Sequence, residues 1–160
     1  MPKFESWIAP PATVEQWAKV DGQNDKIEEP KEITPFYYRR WSHSQDAMAY
    51  VKSRVASGCI VLEDDGSIWL VKPANEFGGY EYTFPKGGIE PGLSPQANAI
   101  KEGYEETGLR VRVIGFLGDF AGDTSMTRYY IAVRTGGTPA DADPDETEEV
   151  ITIGRERLRD

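Results

Sequence analysis

One cysteine and one histidine in 160 residues leave little material for several common chemistries. Cys59 alone can form neither an internal disulfide nor a cysteine zinc site. Set in GCIVL, it reads as a buried strand residue, and His43 reads as a surface residue and not a ligand. No apolar run approaches the roughly 18 residues of a membrane-spanning helix. The opening MPKFESWIAPP lacks the basic region and apolar stretch of a secretory signal, so the cytoplasm is the expected compartment and no membrane partner is expected. Cations are also scarce. Lysine and arginine total 18 against 27 acids, a formal net charge of −9, which argues against a nucleic-acid partner because such binding needs a basic footprint. A phosphate-bearing small molecule is not excluded, since a metal-loaded acidic cleft with a few local cations binds phosphates whatever the net charge. The hydrophobic share of 39% and charged share of 28% are ordinary for a globular chain, and this length suits a single core.

What the chain does have is concentrated between Phe84 and Leu109, FPKGGIEPGLSPQANAIKEGYEETGL. Ser94 followed by Pro95 reads as an N-cap with proline at the first helical position, and Gly108 as a terminating glycine, so the spacing predicts a helix over 95–107. At about 100° per residue, Glu102, Glu105 and Glu106 share one face while Ala97, Ile100, Gly103 and Tyr104 share the other. Like charges at these spacings cost about 0.2–0.5 kcal/mol per pair, and acids in a last turn meet the negative end of the helix dipole at roughly 0.3–1 kcal/mol each. A divalent cation offsets both, because crowded hard oxygens suit Mg²⁺ or Mn²⁺. The competing account is a solvated acidic helix end.

Around this centre the chain reads as short strands. SGCIVLE and SIWLVKP flank a DDG turn at 64–66 and form a hairpin, and ANEFGGYEY is a loop. LRVRVIGFLG and TRYYIAVRT are strands separated by a loop, DFAGDTSM, and TGGTPADADPDETEE is an acidic loop before a last strand, VITI. Strands interrupted by one central helix predict an α/β (α+β) fold with a mixed sheet, not a regular βαβ repeat. The glycines of FPKGG follow neither the P-loop nor the dinucleotide-binding spacing. Residues 1–50 are expected to be an arm of irregular structure packed on a domain at 51–160, or on a second subunit in a homodimer. They hold Trp7, Trp17 and Trp41, a break at Pro10–Pro11, a short helical pattern from Thr13, and aromatics around Tyr37 and Tyr38 that read either as packing or as a base-stacking platform. GRERLRD at the end supplies at most the first turns of a closing helix.

The central stretch resembles the Nudix hydrolase box, G-x5-E-x7-R-E-U-x-E-E-x-G-U, where U is bulky and apolar. Gly87 opens it, Glu102, Glu105 and Glu106 occupy its acids, and Gly108 and Leu109 close it. Three positions depart: Leu93 stands for the first glutamate, Lys101 for arginine and Gly103 for the apolar residue. Loss of the first two together leaves no orphan carboxylate but removes a bidentate fork that lysine cannot imitate. Gly103 is expected to let the helix lie closer to its sheet. The resemblance implies an α/β/α sandwich and a Mg²⁺- or Mn²⁺-dependent hydrolase of diphosphate linkages. It implies Glu102, Glu105, Glu106 and the main-chain carbonyl of Lys86 as metal ligands, with Glu105 and Glu106 central to catalysis. A base is expected from Glu146, Glu148 or Glu149, with Glu149 favoured at the junction of loop and strand. Lys86, Lys72 and Arg128 are candidate phosphate contacts. The PKGG form resembles members acting on dinucleoside polyphosphates or diphosphoinositol phosphates. A domain that senses a nucleotide without cleaving it is the alternative.

Overall fold

Small and β-branched residues make Val55–Leu62 (β1) the middle of the sheet, with Ala56, Ser57, Cys59 and Val61 all buried. The computed structural model describes residues 10–21, 27–33, 55–74, 82–121 and 126–154. The expected turn at 64–66 is formed, with Gly66 at φ 87° and its N–H donating to Glu63 O at 3.0 Å, and returns the chain as β2, Ile68–Pro73. Lys86–Gly88 (β3) pairs antiparallel with β1, Ser57 opposite Gly87. The helix α2, Pro95–Thr107, follows, then β4, Leu109–Ala121, β5, Met126–Gly137, a 3-10 turn at Pro139–Asp141 and β6, Thr147–Ile153. The strand order is β4-β5-β1-β2-β6 with β3 also on β1, and only β1 and β5 run parallel. This is the mixed sheet expected of the fold class.

The core lies where α2 covers the sheet. Ala97 and Ile100 of α2 meet Cys59, Val61, Val111, Val113, Tyr130 and Ala132. A short helix α1, Val14–Asp21, is applied to α2, where Trp17 and Val20 join the same core and the Trp17 and Tyr104 rings stand 6.1 Å apart. Segment 27–33 is held against β5 through Glu29 and the carbonyls of Pro30 and Glu32. Among the described residues no helix is long and apolar enough to cross a membrane.

The structure corrects three expectations. Asp119–Ala121 and Met126 are strand and not loop, because Asp119 faces Arg128 across the ladder and the pair neutralises itself inside the sheet. Thr147, Glu148 and Glu149 likewise belong to β6, where Glu149 stands opposite Lys72. Gly103 does not serve a close approach: a Cβ there would meet nothing within 4 Å. Trp7, Trp41, Tyr37, Tyr38, His43 and the closing segment 155–160 lie outside the described residues.

Candidate metal and catalytic site

Local chemistry aims α2 at β3. Glu90-Pro91-Gly92-Leu93 turns the chain with proline second and Gly92 third at φ 94°, and Leu93 N–H donates to Glu90 O at 3.1 Å. Ser94 then caps the helix, its hydroxyl accepting from Ala97 N–H at 3.0 Å, and Gly108 ends it at φ 75° with its N–H on Tyr104 O. The helix so placed lays its acids over β3. A Cβ on Gly87 would fall 2.3 Å from Glu102 Cδ, so only glycine leaves room for that carboxylate. The Lys86 N–H donates to the carboxylate of Glu106. The backbone of β3 is thus part of the site.

A third acid completes the group. Carboxylate oxygens of Glu102, Glu106 and Glu146 all lie within 4.8 Å of one another. Glu146 is brought there by its loop: Asp143 N–H donates to Glu105 O at 2.8 Å, Glu146 N–H to Asp143 O, and Ala74 N–H to Glu146 O, tying the loop to both α2 and β2. Burial, with Glu105 adding repulsion, pushes Glu102 above the usual carboxylate range although Lys101 pulls it down. Burial and the neighbouring Glu102 push Glu106 up. Burial, then Glu105 and Asp143, raise Glu146. Three converging hard oxygen donors whose ionised forms repel one another fit a divalent cation, which restores what burial and repulsion cost.

The departures at Leu93 and Lys101 have a structural resolution. Leu93 is 8% exposed and belongs to the core, and Glu90, three residues earlier on the turn, supplies a carboxylate to Lys101 at 3.2 Å. Lys101 also reaches Glu105 at 2.5 Å and Glu102 at 3.7 Å. Burial opposes its charge, but the bond to Glu105 and the charges of Glu102 and Glu105 prevail and raise its pKa. Sequence reasoning missed Glu90. The signal was the Pro-Gly turn, which folds residue 90 back onto α2.

Other expected site residues are placed elsewhere. Glu149, favoured as base for its position at a junction, is inside β6 and accepts from the Tyr82 hydroxyl at 2.8 Å; Glu146 is the acid that joins the group. Lys72 forms an ion pair with Glu148 at 3.7 Å. Arg128 is 1% exposed and all five of its N–H groups are engaged, two by Asp119, one by Glu29 and two by the carbonyls of Pro30 and Glu32. No donor is left for a phosphate, so the expected substrate contact at Arg128 gives way to an anchor for segment 27–33.

A glycine-bearing strand laid under a helix of carboxylates, on a mixed sheet, defines an α/β protein with an acidic cleft. The chain belongs to the NUDIX domain family, whose model matches residues 52–158. It is 29% identical over 106 residues to diphosphoinositol polyphosphate phosphohydrolase 2 of Homo sapiens, covering 66% of this chain and 56% of that one. Over 63 residues it is 36% identical to an RNA pyrophosphohydrolase of Mesorhizobium japonicum, covering 36% of each. The chain spans about half the length, or less, of the curated relatives it matches. A NUDIX hydrolase structure from Nitrosomonas europaea superposes with a TM-score of 0.58 at 19% identity, over 66% of this chain and 75% of the other, which is a likeness of fold.

Proposed function

We propose that the protein is a divalent-metal-dependent hydrolase that cleaves a diphosphate linkage in a small molecule. The observation carrying this is the convergence of Glu102, Glu106 and Glu146 beside the Gly87 cradle. In this reading Glu102, Glu106 and the Lys86 carbonyl hold Mg²⁺ or Mn²⁺, and Glu105, outside the converging group and paired with Lys101 at 2.5 Å, joins them only if that pair opens. The bound ion supplies neutralisation of phosphate charge and polarisation of the bond that breaks. Glu146, on the exposed side of the group, takes the proton from the attacking water, a role its raised pKa suits. Lys86 is the proposed phosphate contact, and Lys101, paired with Glu90, Glu102 and Glu105, lies beside the acids. Dinucleoside polyphosphates and diphosphoinositol phosphates are the proposed substrates, the second matching the name of one relative. We further propose that the site belongs to a domain spanning 51–160 that acts in the cytoplasm, without nucleic acid, as a homodimer.

A domain that binds a nucleotide without turnover is the second reading, supported by Leu93 and Lys101. Glu90 weakens it by giving Lys101 an acidic partner. A Mg²⁺-supported screen of diphosphate compounds, with products assigned by ³¹P nuclear magnetic resonance, separates the two. Turnover that falls at least about a thousandfold in Glu106→Gln is the expected result. Tight binding with no product from any compound would establish the sensor instead.

A further inference from the structure

Asn98 is fully buried on α2, yet it is polar. Its side-chain carbonyl accepts from Glu90 N–H at 3.1 Å, and its amide nitrogen donates to Ser57 Oγ at 3.1 Å and to Gly87 O at 3.2 Å. These partners leave no choice of orientation. Glu90 N–H can only donate and Gly87 O can only accept, so the amide cannot be flipped without losing both bonds. Each bond reaches a different segment: β1, β3 and the turn that carries Glu90.

Their common target is the spacing between β3 and α2. Asn98 stands one helical turn before Glu102, on the same face. Asn98 bonds the carbonyl of Gly87 while the Glu102 carboxylate rests where a Gly87 side chain would be. β3 is only three residues long and, among the described residues, pairs with β1 alone. Glu106 accepts from Lys86 N–H on the edge turned away from β1, while Asn98 joins Gly87 O to Ser57 Oγ across the β1–β3 pair and so ties that pair to α2. Only Asn98 is free of the cation chemistry assigned to the acids.

We propose that Asn98 is a positioning residue that fixes β3 against α2 and thereby sets how tightly the cleft takes a divalent cation. The inference rests on the hydrolase reading above. Its test is the Mg²⁺ dependence of thermal unfolding, which reports cation affinity without any substrate. Asn98→Ala, and Asn98→Asp, which keeps the shape and the acceptor but loses both donors, should each weaken Mg²⁺ affinity about 10–100-fold, the range seen when partners of a metal shell are removed. Val61→Ala, a core truncation among residues packed away from β3, should lower Tm in chelator yet keep the wild-type Mg²⁺ dependence. Wild-type affinity in both Asn98 variants would overturn the inference, as would equal weakening in Val61→Ala, which would make it a general effect of lost stability. A wild type whose Tm does not respond to Mg²⁺ would instead remove the metal site, and the hydrolase reading with it.

Discussion

At Gly87 one hydrogen atom decides where the Glu102 carboxylate can rest. A methyl group there would fall among the Cδ and both oxygens of Glu102, and the flexible carboxylate would move before the backbone did. Gly87→Ala should therefore keep its far-ultraviolet circular dichroism while turnover falls about 100-fold, the cost of roughly 1 Å of misplacement at a reacting centre. Unchanged turnover would show that Glu102 does not act from this position. Lys101 makes the opposite case, since it stabilises the cleft by occupying it. With Glu90, Glu102 and Glu105 all on its ammonium, Lys101→Met should lower Tm in chelator by a few degrees, for roughly 1 kcal/mol of lost pairing. Mg²⁺ should then stabilise the variant more than the wild type, because a tethered competitor for Glu102 and Glu105 is gone. Equal Mg²⁺ shifts in the two proteins would mean that Lys101 and the cation do not share these carboxylates.

The helix α2 concentrates acids of which, among the described residues, only Glu105 has a close cation, Lys101 at 2.5 Å, while Glu102 and Glu106 are disfavoured in their ionised form by burial. Glu102 and Glu106 both have raised pKa values, through burial first, with the charge of Glu105 adding to Glu102 and that of Glu102 to Glu106, so the folded chain holds protons that the unfolded chain releases at about 4.3. Stability from these groups is full below that value and is lost as pH rises through their higher folded values. In chelator, then, wild-type Tm should decline from mildly acid to alkaline pH relative to Glu102→Gln, Glu105→Gln, Glu106→Gln combined. Mg²⁺ should reverse the decline only in the wild type. A triple variant less stable at every pH would mean that the acids make structural bonds worth more than their repulsion. The strands carry a related lesson. The β4–β5 ladder reaches Ala121 and Met126 because Asp119 and Arg128 cancel across it, so charges that mark a loop when read singly mark a strand when they are paired.

Across the whole molecule, Arg128 links segment 27–33 to the sheet. Its guanidinium stacks over Phe116 at 5.0 Å and joins Asp119, Glu29 and two carbonyls, and Tyr130 donates to the same Glu29. Arg128→Met would leave Asp119 buried without its cation, and urea unfolding should show a loss of about 3–5 kcal/mol. Glu29→Gln combined with Tyr130→Phe should instead spare the sheet but loosen 27–33, so that trypsin cuts after the exposed Lys31 faster while the domain stays intact. Cleavage at the wild-type rate would place the anchor elsewhere in that segment.

Periodicity and capping chemistry settled α2 to the residue, because Ser94, Pro95 and Gly108 act on their own neighbours and need no tertiary partner. The β1–β2 hairpin was legible for the same reason, since DDG makes its turn locally. The three helix acids could be picked out from spacing alone. What spacing could not reveal were pairings between distant segments. Glu146 joins Glu102 and Glu106 only because backbone bonds from Asp143 and Ala74 dock its loop, whereas Glu149, three residues on, is drawn to Tyr82. Glu90 took the place of the acid missing at residue 93 by way of a turn, and Arg128 was spent on a buried network that only the assembled sheet and segment 27–33 create. Helix signals act over three or four residues, but which carboxylate meets a cation and which meets a hydroxyl depends on contacts across the fold, and those were decided by the tertiary structure.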